Sequence, residues 1–85
     1  MFNTDQPLQL LRRHDVLSRT GISKSCVYIK IKNGTFPPPV ALGVRSVAWP
    51  AHEVEAIIRA MVAGKDDEAM KNLVKNLLLL RKTVE

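Results

Sequence analysis

Positive charge is the chemical resource this chain concentrates. Between Leu8 and Trp49 stand Arg12, Arg13, Arg19, Lys24, Lys30, Lys32 and Arg45 against a single acid, Asp15, a local balance of +6 in a chain whose net charge is +5. Cations gathered so closely on a small domain suit a polyanion, and nucleic acid is the usual one. Other chemistry finds little to work with. His14 and His52 stand apart, and Cys26 is the sole cysteine, so no set of ligands has metal-binding spacing. No Gly-rich phosphate loop, nucleophile–base pair or pair of carboxylates is visible, so neither catalysis nor a cofactor is expected.

The elements that must position these cations follow from local chemistry. A first helix is expected from about Arg13 to Arg19, with Val16 and Leu17 facing inward. Gly21 supplies a sharp exit and Ile22 an apolar plug, after which Ser23 is a good N-cap for a second helix running to Gly34. Val27 and Ile31, one turn apart, anchor that second helix, which leaves Ser23, Lys24, Ser25, Tyr28 and Lys32 near its other face. A helix entering the major groove needs short polar donors at its N-terminal turn and cations that meet the flanking phosphates. Lys24 and Ser25 are therefore the candidates for base edges, and Tyr28 and Lys32 for phosphate. Cys26 is read as a small, semi-buried residue or as a van der Waals contact near DNA.

Phe36-Pro37-Pro38-Pro39 cannot be helical and must be stiff and extended. Val40-Ala41-Leu42 and Val47-Ala48-Trp49 flank Gly43-Val44-Arg45-Ser46 and read as two short strands joined by a loop, a wing with Arg45 at its tip. An arginine on a narrow hairpin is shaped to enter a minor groove or clamp a phosphate. Arg12, Arg13 and Arg19 lie around the first helix, where they can meet the sugar-phosphate backbone. Trp49 is expected to cement the wing to the next helix. Leu8, Leu10 and Leu11 are compatible with a short strand or with a segment capping the core.

Pro50 suits the first turn of a third helix, in which Val54, Ile57, Ile58, Met61 and Val62 repeat as one buried stripe before Gly64 closes it. Asp66-Asp67-Glu68 open a last helix and Arg81-Lys82 end it, an order that complements the helix dipole. Met70, Leu73, Leu77, Leu80 and Val84 are spaced as a heptad seam, widened by Val74 and Leu78. That seam is the candidate oligomerisation element, able to dock on its own domain or on a second copy.

Eighty-five residues make one fold, and a chain this short is marginal in stability, for which association is a common remedy. The expected architecture is mainly α with a small β-hairpin: a winged helix-turn-helix DNA-binding domain over residues 8–64 and a C-terminal helix over 66–84. The apolar fraction of 46% argues for a packed core, and no apolar run is long enough to span a bilayer. With one cysteine and no signal peptide in view, the expected compartment is a reducing cytoplasm.

The ordered pattern LxRTGxSxSxxYxxIxxGxFPxPVxLGxRxVxWxxxEVxxxI runs through this region. It is carried by Leu17, Arg19, Thr20, Gly21, Ser23, Ser25, Tyr28, Ile31, Gly34, Phe36, Pro37, Pro39, Val40, Leu42, Gly43, Arg45, Val47, Trp49, Glu53, Val54 and Ile57. It resembles the AlpA family of prophage regulators, which are themselves similar to MerR-type winged helices and phage excisionases. The resemblance covers about residues 10–63, and it implies that the DNA-binding roles fall on the helix from Ser23 and on the wing around Arg45. The chain departs from the family at Ile29, where a basic residue is usual, at Lys30, where an apolar one is, and at Cys26, often threonine.

The function so implied is sequence-specific binding of double-stranded DNA and control of integrase or excision genes, with self-association and integrase as further partners. Two other readings use the same sequence. One is an excisionase that bends attachment-site DNA and recruits integrase; the other is a protein-interaction module whose leucine seam captures a partner helix.

Overall fold

The computed structural model describes residues 8–82. In chain order it comprises β1 (Leu10–Arg12), α1 (Arg13–Thr20), α2 (Lys24–Asn33), β2 (Val40–Ala41), β3 (Val47–Pro50), α3 (Ala51–Val62) and α4 (Asp67–Arg81). The three strands form one antiparallel sheet in the order β1-β3-β2. Leu11 pairs with Trp49 in one ladder and Val40 with Ala48 in the other, so β3 is the shared central strand. This is the expected class, mainly helical with a small β-hairpin, and it is compatible with a winged helix-turn-helix. Of the two roles open to Leu8, Leu10 and Leu11, the second and third residues take the strand, and Ala51 N–H extends the union by donating to the Gln9 carbonyl at 2.8 Å.

The helix-turn-helix is shaped by its caps. Thr20 Oγ1 donates to the Val16 carbonyl at 2.8 Å and accepts from Ile22 N–H, and Gly21 between them has φ +72°, a conformation that costs a side-chain-bearing residue about 1 kcal/mol. Ser23 then caps α2, its Oγ accepting from Cys26 N–H at 3.3 Å. At the other end Gly34 N–H donates to Ile31 and Thr35 N–H to Lys30, closing the last carbonyls of α2 in a Schellman arrangement.

The core gathers Leu11, Val16, Val27, Phe36, Trp49, Val54 and Ile57 with Met70, Val74 and Leu77 from α4. The last helix therefore packs on its own domain. Its innermost residues run Met70, Val74, Leu77 and then half-buried Arg81, with Leu73 and Leu78 half-buried beside them. A straight helix advances 3.6 residues per turn, so the buried line drifts off a strict heptad and reaches Arg81 where the seam places Leu80, which is 42% exposed. Val84 lies outside the described residues.

The stripe on α3 also turns out rotated. Val54 and Ile57 are buried as expected and Ile58 and Met61 half-buried, but Val62 is 83% exposed, while Ala51, Glu53 and Ala60 are buried. At about 100° per residue the buried face centres near Glu53, Val54 and Ile57, which leaves Val62 well outside it.

The proline segment is held by its carbonyls. Trp49 Nε1–H donates to the Pro37 carbonyl at 2.9 Å, and its ring meets Phe36 edge to face, with centroids 6.4 Å apart. Arg81 Nη2–H donates to the Pro38 carbonyl at 2.7 Å. Trp49 thus fastens β3 to the proline segment, and it shares the buried cluster with Val54 and Ile57 of the next helix, which it was expected to join to the wing.

Candidate nucleic-acid interface

The wing loop is closed by Leu42 N–H donating to the Ser46 carbonyl at 2.7 Å, a short bond that fixes the hairpin tip. Arg45 is exposed there and Val44 beside it is wholly so. From this tip an open cleft of about 590 Å³ extends to the start of α1 and the start of α2, lined by Arg12, Arg13, His14, Leu17, Lys24, Arg45 and Val47. Cations from β1, α1, α2 and the wing loop converge on it although Arg45 lies far from Arg12 in sequence. The acid nearby, Asp15, stands 3.5 Å from His14 Nε2 in an exposed pair.

The α2 surface next to this cleft combines hydroxyls with cations. Val27 is fully buried and Ile31 half-buried, which fixes the inward direction. Helical periodicity then turns Ser25 and Lys32 away from the core and Tyr28 toward the Lys24 flank. All four are exposed. Ser23 Oγ lies 3.5 Å from Ser25 Oγ, so two hydroxyls sit together at the N-terminal turn. The α2 N-terminus, where backbone N–H groups carry partial positive charge, adds to the same field.

Of the residues singled out from sequence, Arg12, Arg13, Lys24 and Arg45 share the cleft; Ser23, Ser25, Tyr28 and Lys32 lie along the exposed side of α2. Arg19 is exposed near the end of α1 but does not line the cleft. Cys26 is exposed rather than semi-buried, because the turn of α2 carries it to the flank facing α4. His14 joins the cleft without having been expected there. Its signal was adjacency to Arg13 at the start of the first helix.

Sequence reasoning also missed the ion pair that supports the wing. Glu53 is fully buried and receives two hydrogen bonds from Arg81, Nη2–H to Oε1 at 2.6 Å and Nε–H to Oε2 at 2.8 Å. In the sequence Glu53 is simply an acid in the first turn of α3, with nothing beside it to name its partner. Among the described residues, no three His, Cys, Asp or Glu side chains come together in a way that could hold a metal ion, and no helix is long and apolar enough to cross a membrane.

The family described as "Prophage CP4-57 regulatory protein (AlpA)" matches residues 9–60, which takes in β1 through most of α3 and leaves α4 outside. An uncharacterized protein, ORF88 of Enterobacteria phage P4, is 40% identical over 57 residues, covering 67% of this chain and 65% of that protein. The shared stretch is therefore a little under two-thirds of the relative's length.

Proposed function

The chain belongs to the AlpA family of prophage regulatory proteins, and from that premise we propose that it is a sequence-specific, double-stranded-DNA-binding transcriptional regulator controlling integrase or excision genes of a prophage or integrated element. The supporting observation is the convergence of Lys24, at the head of α2, with Arg45 of the wing and with Arg12 and Arg13 on a single cleft. In this reading α2 enters the major groove with Lys24 and Ser25 toward base edges and Tyr28 and Lys32 toward phosphates. The wing brings Arg45 to the adjacent backbone or minor groove, and Arg19 meets the backbone from α1. It acts at the bacterial nucleoid and has no catalytic role.

In this reading the helix-turn-helix and the wing lie within the stretch 8–64, and α4 packs against it. Self-association belongs to the same proposal. Because Met70 and Leu77 are used within the fold, its surface centres on Leu80 and its neighbour Leu79, which are 42% and 59% exposed, with half-buried Leu73 at the margin.

Affinity is expected to be dominated by phosphate neutralisation. With about five or six contacts, log K should fall with log salt at a slope of roughly −5. Footprinting across the element's own regulatory region, combined with that salt titration, tests the proposal. No protection, together with no duplex retained in dilute buffer, overturns it.

A second reading, an excisionase that bends attachment-site DNA and recruits integrase, is favoured by Val44. An apolar side chain fully exposed beside an arginine resembles the wedges that unstack base steps. A reporter on the integrase promoter, run beside an excision assay with supplied integrase, separates the two.

A further inference from the structure

The flank of α2 that faces away from the wing carries a cation of its own. Lys30 and Asn33 of α2 line a second open cleft, of about 400 Å³, whose opposite wall is Asp67 and Lys71 of α4. Lys71 comes close: a Cβ on Gly34, at the end of α2, would lie 3.8 Å from Lys71 Cγ. The lysine stem therefore passes over the C-terminal cap of α2 and can carry its ammonium group to the groove side, as long basic side chains do. At that cap the Ile31 and Lys30 carbonyls already accept from the Gly34 and Thr35 N–H groups.

A helix in the major groove meets phosphates on both walls. The groove is about 12 Å wide and a helix with its side chains about 10–12 Å across, so both flanks of the helix come within reach of the backbone. Arg12, Arg13, Lys24 and Arg45 serve one flank. We propose that Lys71, with Lys30, serves the other, so that α4, outside the segment that matches the family, is part of the DNA interface. The inference rests on the reading that α2 enters the groove. Asp67, four positions before Lys71 and on the same cleft, opposes phosphate and tempers this contact.

The two α4 residues should therefore move affinity in opposite directions. Fluorescence anisotropy with a labelled mixed-sequence duplex, between about 50 and 200 mM salt, reads both affinity and slope. Lys71→Ala should weaken binding roughly five- to tenfold and flatten the log–log slope by about 1. Asp67→Asn should tighten binding. Lys65→Ala, which removes the same charge in the groove between α3 and α4, should change it far less. If Lys71→Ala matches Lys65→Ala while the wild type binds in a salt-dependent way, the far-flank contact is overturned and the proposed function stands. If the wild type holds no duplex even at the lowest salt, the reading beneath it falls as well. Unchanged circular dichroism of each variant confirms that the fold is not what moved.

Discussion

Arg81 and Glu53, 28 positions apart, meet in a two-pronged ion pair whose carboxylate is fully buried and whose guanidinium also reaches the Pro38 carbonyl. One side chain near the end of α4 thus joins α3 and the strap that leads into the wing. Removing one partner leaves the other's charge stranded, which is where the cost of such pairs lies. Arg81→Ala should destabilise the fold by about 3 kcal/mol. Replacing both residues by methionine should recover most of that loss, less the bond to Pro38. Urea denaturation followed by far-UV circular dichroism measures both, and wild-type stability in Arg81→Ala would show that the pair contributes nothing.

Trp49 is tied to the same strap by its indole N–H. Trp49→Phe keeps an aromatic ring against Phe36 but loses the bond to Pro37 and part of the volume. The expected cost is about 2 kcal/mol, with the Pro37 carbonyl left unpaired. Circular dichroism is again the readout, because Trp49 is the chain's sole tryptophan and its fluorescence disappears with it.

Arg45 touches the fold little, being exposed on a loop that closes through Leu42 and Ser46. Arg45→Ala should leave the melting temperature unchanged, weaken duplex binding and flatten the log–log salt slope by about 1. Affinity equal to wild type at low salt would mean that the wing stays off the duplex.

Leu77 and the Leu79–Leu80 pair separate folding from association. Leu77 is buried in the core, so Leu77→Asn should cost roughly 2–4 kcal/mol, a large share of the stability of so small a domain. Leu79→Gln with Leu80→Gln acts on exposed positions. It should leave stability within about 0.5 kcal/mol and shift sedimentation toward the single chain. A wild type that already sediments as one chain would end the self-association proposal.

Much of the frame is legible in the residues because its signals are local. Gly21, Ser23 and Gly34 punctuate the helix-turn-helix, and the prolines followed by valine-rich runs announce the wing; each acts within a few positions of itself. The convergence of Lys24 with Arg45 follows once those elements are placed. Pairings across the chain left no such trace. Nothing near Leu11 specifies that its partner is Trp49, and nothing near Glu53 names Arg81. The phase of α4 was open for a different reason. Leucines spaced for a heptad also satisfy a straight helix on a globular core, and only packing decides that Val74 turns inward while Leu80 does not. The exposure of Cys26 and Val62 has the same origin, since a neighbour's position rather than local preference sets which arc of a helix is covered.

Prolines at 37, 38 and 39 have no N–H to offer, so this stretch can be fastened only through its oxygens, and successive ones are gripped by residues from the sheet and from the far terminus. The finger is consequently latched at two independent points. Trimming the chain ahead of Arg81 releases one latch and leaves the buried Glu53 charge without its partner, so the finger loses its fixed bearing at a cost to the fold. If the wing holds DNA as proposed, a ligand that pries the last turn of α4 loose would slacken that grip from a distance.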